Sequence, residues 1–214
     1  MQTIVTGIYG SGKTEFCLNY ALSLPKPVKL ADMDVVNPYF RSREKADFLA
    51  TQNIQVIGNL TDNSGNQDLP AISGEVIRAV LAKDTLVVDL AGSALGLHAL
   101  SLFKKQLNDY RFWAVINAFR ADSSTAEKAR HFIQTAESVS GLKINGIINN
   151  SHMLRETAAE HVLHGQALAV EVLKSLDIPI VYTFLKDDIY TEIKDQLASP
   201  ALTFNKLIMR EDWQ

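Results

Sequence analysis

The chain has 214 residues, of which 47% are hydrophobic and 21% charged, and a formal net charge of −3. That length suits one sizeable domain over residues 1–214 with a substantial core, and the charge gives no electrostatic basis for a nucleic-acid or anionic-membrane partner. The one cysteine, Cys17, excludes an internal disulfide; no apolar stretch reaches a membrane span and no secretion signal is visible, so a cytoplasmic location is expected.

Short apolar runs alternate with helical patterns from end to end. Strands are expected over 2–6, 28–33, 54–58, 85–90, 112–117, 144–149 and 179–182. Helices are expected over 14–24, 39–52, 73–82, 95–108, 123–140, 155–176 and 186–197. The strands are near-continuously apolar, as parallel strands covered on both faces are. The alternation implies right-handed βαβ units and a doubly wound, mostly parallel sheet flanked by helices, an α/β fold. In such sheets ligands bind beyond the carboxyl ends of the strands. Ser123-Ser-Thr-Ala-Glu127 offers capping chemistry before an amphipathic run, and residues 59–70 are the most polar, turn-rich segment, read as a loop.

The first strand runs into Gly7-Ile-Tyr-Gly-Ser-Gly-Lys-Thr14, which fits G-x-x-x-x-G-K-[ST] at every fixed position. Strand, glycine loop and helix are what phosphate binding needs. Gly7, Gly10 and Gly12 allow a tight turn whose N–H groups point at a phosphate, and the helix adds its positive dipole end. Lys13 can reach the β- and γ-phosphates, and the Thr14 hydroxyl can bind Mg²⁺. No G-x-G-x-x-G occurs, which disfavours a nicotinamide or flavin enzyme.

Two further segments supply carboxylates. In Thr85-Leu-Val-Val-Asp-Leu-Ala-Gly92 a buried strand ends in Asp89, placed to accept from Mg²⁺-bound water, and Gly92 lets a backbone N–H approach the γ-phosphate. A helix-capping aspartate is the plainer alternative. In Lys29-Leu-Ala-Asp-Met-Asp-Val-Val-Asn-Pro38, Asp32 and Asp34 alternate along an extended segment and share a face. Asp34, farther past the strand, is the candidate for positioning an attacking water, and Asp32 for the metal shell or for anchoring the loop. An ordinary pair of loop aspartates stays open as a reading.

GIYGSGKT, ADMDVVNP, LVVDLAG and GIINNS, in this order, resemble the MinD/ParA-type nucleotide-binding proteins of the SIMIBI class of P-loop NTPases. The resemblance implies that Lys13 binds phosphate, Thr14 Mg²⁺, that Asp34 is the catalytic carboxylate, Asp89 the Walker B acid and Asn150 the base reader; an Asn in a turn for backbone reasons is the alternative. It implies ATP (ADP) and Mg²⁺ as cofactors, with metal contacts from Thr14, Asp32 and Asp89. The nucleotide contacts expected are Gly7, Tyr9, Gly10, Ser11, Gly12, Lys13, Thr14, Glu15, Gly92 and Asn150. The family form K-G-G-x-G-K-[ST] has an early lysine that crosses a dimer interface, and here that position is Ile8. A nucleotide-dependent homodimer is therefore an open expectation, as is an unknown protein partner. Arg41 and Arg43 are candidates for a substitute charge, or solvated helix positions.

Other constellations carry less. His161 and His164, near His152, can share a helix face, but no cysteine joins them, and a surface pair outweighs a zinc site. Cys17 reads as helix packing, and residues 209–214 are too short for a membrane-targeting helix. The sequence reading is a slow, Mg-dependent ATPase used as a conformational switch. The alternatives are an ATP-dependent phosphotransferase or synthetase with a small-molecule acceptor, a GTP-dependent cofactor or metal chaperone, and a binding module without catalysis.

Overall fold

The computed structural model describes residues 1–34, 42–58, 74–107 and 109–209. The expected loop over 59–70, Tyr39, Phe40, Arg41 and the end of the chain beyond Met209 lie outside the described residues. Strands β1 (Gln2–Gly7), β2 (Val28–Met33), β3 (Ile54–Gly58), β4 (Leu86–Ala91), β5 (Tyr110–Ile116), β6 (Gly146–Asn149), β7 (Ile180–Lys186) and β8 (Ala201–Phe204) form one sheet in the order β3-β2-β4-β1-β5-β6-β7-β8. Every neighbouring pair is parallel. All eight carboxyl ends therefore lie on one edge, with β1 between β4 and β5.

The helices are α1 (Lys13–Ser23), α2 (Ala46–Thr51), α3 (Gly74–Leu81), α4 (Ala94–Ser101), α5 (Ala126–Ser140), α6 (Ala159–Leu173) and α7 (Asp187–Ile193). Strand alternation sorts the side chains onto two faces. Ile4, Ala31, Val88 and Leu90 join one core with Val80 of α3, Leu100 of α4, Ile133 of α5 and Val172 of α6. Val5, Leu30, Val87 and Val115 join the other with Phe16, Leu18 and Tyr20 of α1 and Leu49 of α2. Asp89 and Asp32 continue the second set, two residues beyond Val87 and Leu30, and are partners in the β2–β4 register. The sheet thus delivers two buried carboxylates side by side beneath the start of α1.

α1 is held by aromatic packing. Phe16 and Tyr20 stack at 5.7 Å, Tyr20 meets Trp113 edge-on at 5.3 Å, and Phe16 meets Phe184 edge-on at 5.6 Å. Such pairs each add about 0.5–1.5 kcal/mol beyond area burial, and they fix the helix that carries the glycine loop.

Three differences from the sequence reading have local causes. An eighth strand, β8, follows Pro200 on the sheet edge; it is short and only half-buried, so it carries no continuous apolar signal. The helices expected over 39–52, 95–108, 155–176 and 186–197 are shorter, because 3₁₀ turns at Ser42–Lys45, Lys104–Gln106, Leu154–Glu156 and Lys194–Gln196 occupy one end of each. α5 begins at Ala126 because Thr125 Oγ1 caps it, accepting from Lys128 N–H at 3.3 Å. Among the described residues no helix is long and apolar enough to cross a membrane.

Candidate functional site

The loop between β1 and α1 turns sharply because two glycines take the left-handed region, Gly10 at φ +73° and Gly12 at φ +80°. A side chain at either position would be strained. Gly12 is the residue before the first helical turn, and its carbonyl already accepts from Phe16 N–H at 3.1 Å. The first amides of α1 thus open toward the loop's interior.

Lys13 lies at the centre of the charge. Its ammonium pairs with Asp34 Oδ2 and lies 3.4 Å from Asp89 Oδ1. Burial alone would lower its pKa, but Asp89 and Asp34 outweigh burial and hold the ammonium above its ordinary range. Asp89 is fully buried, and neither of its oxygens has a well-formed hydrogen bond. Burial raises its pKa above the ordinary carboxylate range; Lys13 opposes this and Asp32 adds to it. Asp32 Oδ1 accepts from Asp34 N–H at 3.3 Å, and its Oδ2 faces Arg43 Nε at 3.4 Å. Arg43 is therefore occupied in anchoring Asp32.

The structure thus brings Lys13, Asp32, Asp34 and Asp89 together. Among the described residues no three acidic, histidine or cysteine side chains form a ready metal cage. A Mg²⁺ site does not need one, since that ion takes one or two carboxylates and keeps water and phosphate oxygens. The Asp89 oxygens, which make no hydrogen bond of good geometry, and the Thr14 hydroxyl are hard donors of that kind, and they fit the ion.

The remaining expected residues are placed as follows. Asn150, nearly fully buried, donates through Nδ2 to the Ser11 carbonyl at 2.8 Å. Gly92 packs so closely on the loop that a Cβ would lie 2.3 Å from the Gly7 carbonyl oxygen. Tyr9 is 79% exposed at the loop apex. The Glu15 carboxylate accepts from Ile208 N–H at 2.7 Å, Met209 N–H at 3.0 Å and Asn19 Nδ2 at 3.0 Å. Burial raises the Glu15 pKa against these hydrogen bonds. Glu15 thereby clasps the segment after β8 to α1. Glu15→Ala removes this acceptor from two backbone amides and is expected to cost about 1–3 kcal/mol. Urea unfolding with amide exchange at Ile208 and Met209 checks both the loss and its location.

Two residues at the site are not among the nucleotide contacts expected from the sequence. Arg120 Nε donates to the Gly10 carbonyl at 2.7 Å, and His152 Nε2 lies 3.3 Å from where a Gly12 Cβ would sit. The expected histidine pair faces elsewhere: His161 Nδ1 accepts from Ala158 N–H at 2.9 Å, and both rings pack on Phe119.

Beside the loop opens a cavity of about 580 Å³, walled by Lys13, Asn150, His152, Leu185, Phe204 and Met209 among others. Its lining combines the charged Lys13 and Asp34 with the apolar Leu185, Phe204 and Met209, which suits a ligand with a charged and an apolar part. The architecture is similar to that of the cell division protein FtsY from Thermotoga maritima. The match has a TM-score of 0.50 and 20% identity over 85% of this chain and 60% of that one. The chain has the fold of a P-loop NTPase. The signal recognition particle receptor FtsY from Elizabethkingia anophelis, solved with GDP, matches at a TM-score of 0.44 and 10% identity over 98% of this chain and 58% of that one. This chain therefore spans about 60% of the length of the FtsY structures it matches. No family model and no curated protein matches the sequence.

Proposed function

We propose that this chain is a Mg²⁺-dependent nucleoside triphosphatase, selective for ATP over GTP, whose slow turnover drives a conformational switch. The observation that carries this reading is the pairing of Lys13 with Asp34 and Asp89 at the mouth of a glycine loop, next to a cavity of about 580 Å³. Without nucleotide the Lys13 ammonium is neutralised by carboxylates. Phosphate oxygens compete for the same ammonium and draw it from Asp34, whose carboxylate, beside the phosphates, would orient and deprotonate a water. Thr14 and Asp89, with Asp32 behind them, would hold Mg²⁺, which when bound neutralises charge developing on the phosphates.

For the base, the amide nitrogen of Asn150 is committed to the loop. Its carbonyl oxygen is an acceptor that suits an exocyclic amino group of either purine, and the lean to adenine rests on the absence of a guanine-reading Asn-Lys-x-Asp from the sequence. Gly92 touches the loop directly, so a change at the phosphates reaches the start of α4, where a protein partner would sense it. Ile8 leaves no lysine to cross a dimer interface, so a nucleotide-dependent homodimer, if formed, draws its charge from elsewhere.

Phosphate release from ATP and from GTP, measured on wild type and Asp34→Asn, tests the reading. The expected result is slow, Mg²⁺-dependent release favouring ATP, lost in Asp34→Asn while nucleotide binding persists. Unchanged turnover in Asp34→Asn contradicts the assigned role. Turnover appearing only with a small-molecule acceptor favours phosphoryl transfer, and GTP preference favours the chaperone class.

A further inference from the structure

The turn after β5 is built more firmly than its length requires. Asn117 and Ser123, both buried, close it from within. Ser123 Oγ donates to the Asn117 carbonyl at 2.7 Å, Phe119 N–H to Asn117 Oδ1 at 2.9 Å, and Ala118 N–H to Ser151 Oγ at 3.0 Å. The Phe119 ring packs against His161 and His164 at 5.1 and 5.6 Å between centroids.

This frame presents Arg120 to the glycine loop. Besides the bond from Nε to the Gly10 carbonyl, a Cβ on Gly10 would meet Nε at 3.3 Å and Cδ and Cζ at 3.6 Å. The guanidinium therefore lies across the bare Cα of the loop apex. One residue on, Asn150 Nδ2 holds the Ser11 carbonyl. In a planar trans peptide a C=O and the following N–H point in opposite directions. Fixing the Ser11 carbonyl on Asn150 turns the Gly12 N–H the opposite way, and fixing the Gly10 carbonyl on Arg120 turns the Ser11 N–H back to the Ile8 carbonyl, which accepts it at 3.1 Å.

We propose that Arg120 is a positioning residue for the phosphate loop, clasping its apex in the ligand-ready shape before an anion arrives and setting a fixed positive charge against the loop's outer surface. The proposal deepens the nucleotide reading above and rests on it for the identity of the ligand. A preformed loop avoids the ordering cost of assembling it on the ligand. His152, next to this wall, stays neutral: burial, and then the neighbouring Arg120, lower its pKa to about 4. The cation on the loop's outer surface at neutral pH is therefore the arginine. Arg43, the other described arginine of interest, is spent on Asp32.

Three substitutions separate the clasp from the charge. Arg120→Lys keeps both a donor and the charge, Arg120→Gln keeps a neutral donor, and Arg120→Ala keeps neither. The measurements are calorimetric Kd for a non-hydrolysable ATP analogue with Mg²⁺, kcat and KM for phosphate release, and amide exchange of residues 7–14 without nucleotide. Arg120→Ala is expected to weaken binding about tenfold, the scale of one lost charge-assisted hydrogen bond, to raise KM more than it lowers kcat, and to speed loop exchange. Arg120→Lys should recover most of all three, and Arg120→Gln the slow exchange but not the affinity. Wild-type affinity and loop exchange in a folded Arg120→Ala protein would overturn the proposal, as would failure of Arg120→Lys to recover either. If wild type binds no nucleotide, the nucleotide reading fails, and the exchange comparison still decides the clasp.

Discussion

Lys13→Ala is expected to abolish Mg-nucleotide binding and also to cost the nucleotide-free protein about 3–5 kcal/mol, the scale for breaking a buried ion pair by removing one partner. The second effect follows from where the charge is left. Asp89 is fully buried and Asp34 nearly so, and Lys13 pairs with both. Asp32 sits beside Asp89 in register and repels it. Asp89→Asn removes one of these charges at nearly constant volume. In the Lys13→Ala background it should restore much of the lost stability and none of the binding. Alone it should stabilise the nucleotide-free chain while eliminating Mg²⁺-dependent affinity.

The pH dependence gives an independent check. The folded pKa of Asp89 lies above its ordinary 3.8, so between those two values the native chain binds more protons than the unfolded one. Stability therefore falls as pH rises through that window. Glu15, also raised, acts in the same direction. Lys13 is raised above its ordinary 10.5, so its contribution is fully present below that pH and is lost as pH rises past it. Urea midpoints across pH should show Asp89→Asn shallowing the acid-side slope and Lys13→Ala removing the alkaline loss. A Lys13→Ala protein as stable as wild type at pH 7 would contradict this account of the cluster.

Gly92→Ala is the second large effect. An added Cβ would lie 2.3 Å from the Gly7 carbonyl oxygen, 2.8 Å from its carbon and 3.0 Å from Phe132 Cε2. The first two are backbone atoms, and Gly7 is tied to β4 through its register with Ala91. Neither side yields without parting the loop from the β4 end. Overpacking of this kind costs about 1–3 kcal/mol or more, and the displaced atoms are those that would hold phosphate. Gly92→Ala should therefore lower the melting temperature by several degrees and weaken nucleotide binding together. Gly74→Ala is the control: among the described residues its Cβ meets only the flexible Arg78 Nη1, at 3.5 Å, and Gly74 is the first residue of α3, so the exchange is expected to change stability little. Calorimetric scans should show Gly92→Ala well below wild type and Gly74→Ala close to it. Equal behaviour would show that the Gly7–Gly92 contact is unimportant.

Much of this architecture is legible in the sequence because a parallel sheet buries its strands on both faces. β1 to β7 each leave an apolar run, and the glycine loop is defined by residues adjacent in the chain. The carboxylates at 32, 34 and 89 are legible for the same reason, being offsets from strand ends. What was illegible depends on strand order. Arg120 follows an unremarked Asn-Ala-Phe, and only the placement of β5 beside β1 brings it onto Gly10. Glu15, next to the phosphate loop, reads as a ligand contact, and the bonds from its carboxylate to the Ile208 and Met209 amides are set by where that distant segment folds back. Asn150 reads as a base contact, and its amide nitrogen serves the loop. β8 is invisible because an edge strand of four half-buried residues has no period to read.

The central claim is that the Lys13 cluster exchanges carboxylates for phosphate. Calorimetric titration of wild type and Lys13→Ala with non-hydrolysable ATP and GTP analogues, with and without Mg²⁺, tests it most directly, with mass followed by light scattering. The account predicts one tight, Mg²⁺-dependent site for the ATP analogue, weaker binding of the GTP analogue, and no binding in a folded Lys13→Ala protein. Absence of binding by wild type to either analogue, or undiminished binding by Lys13→Ala, would contradict it.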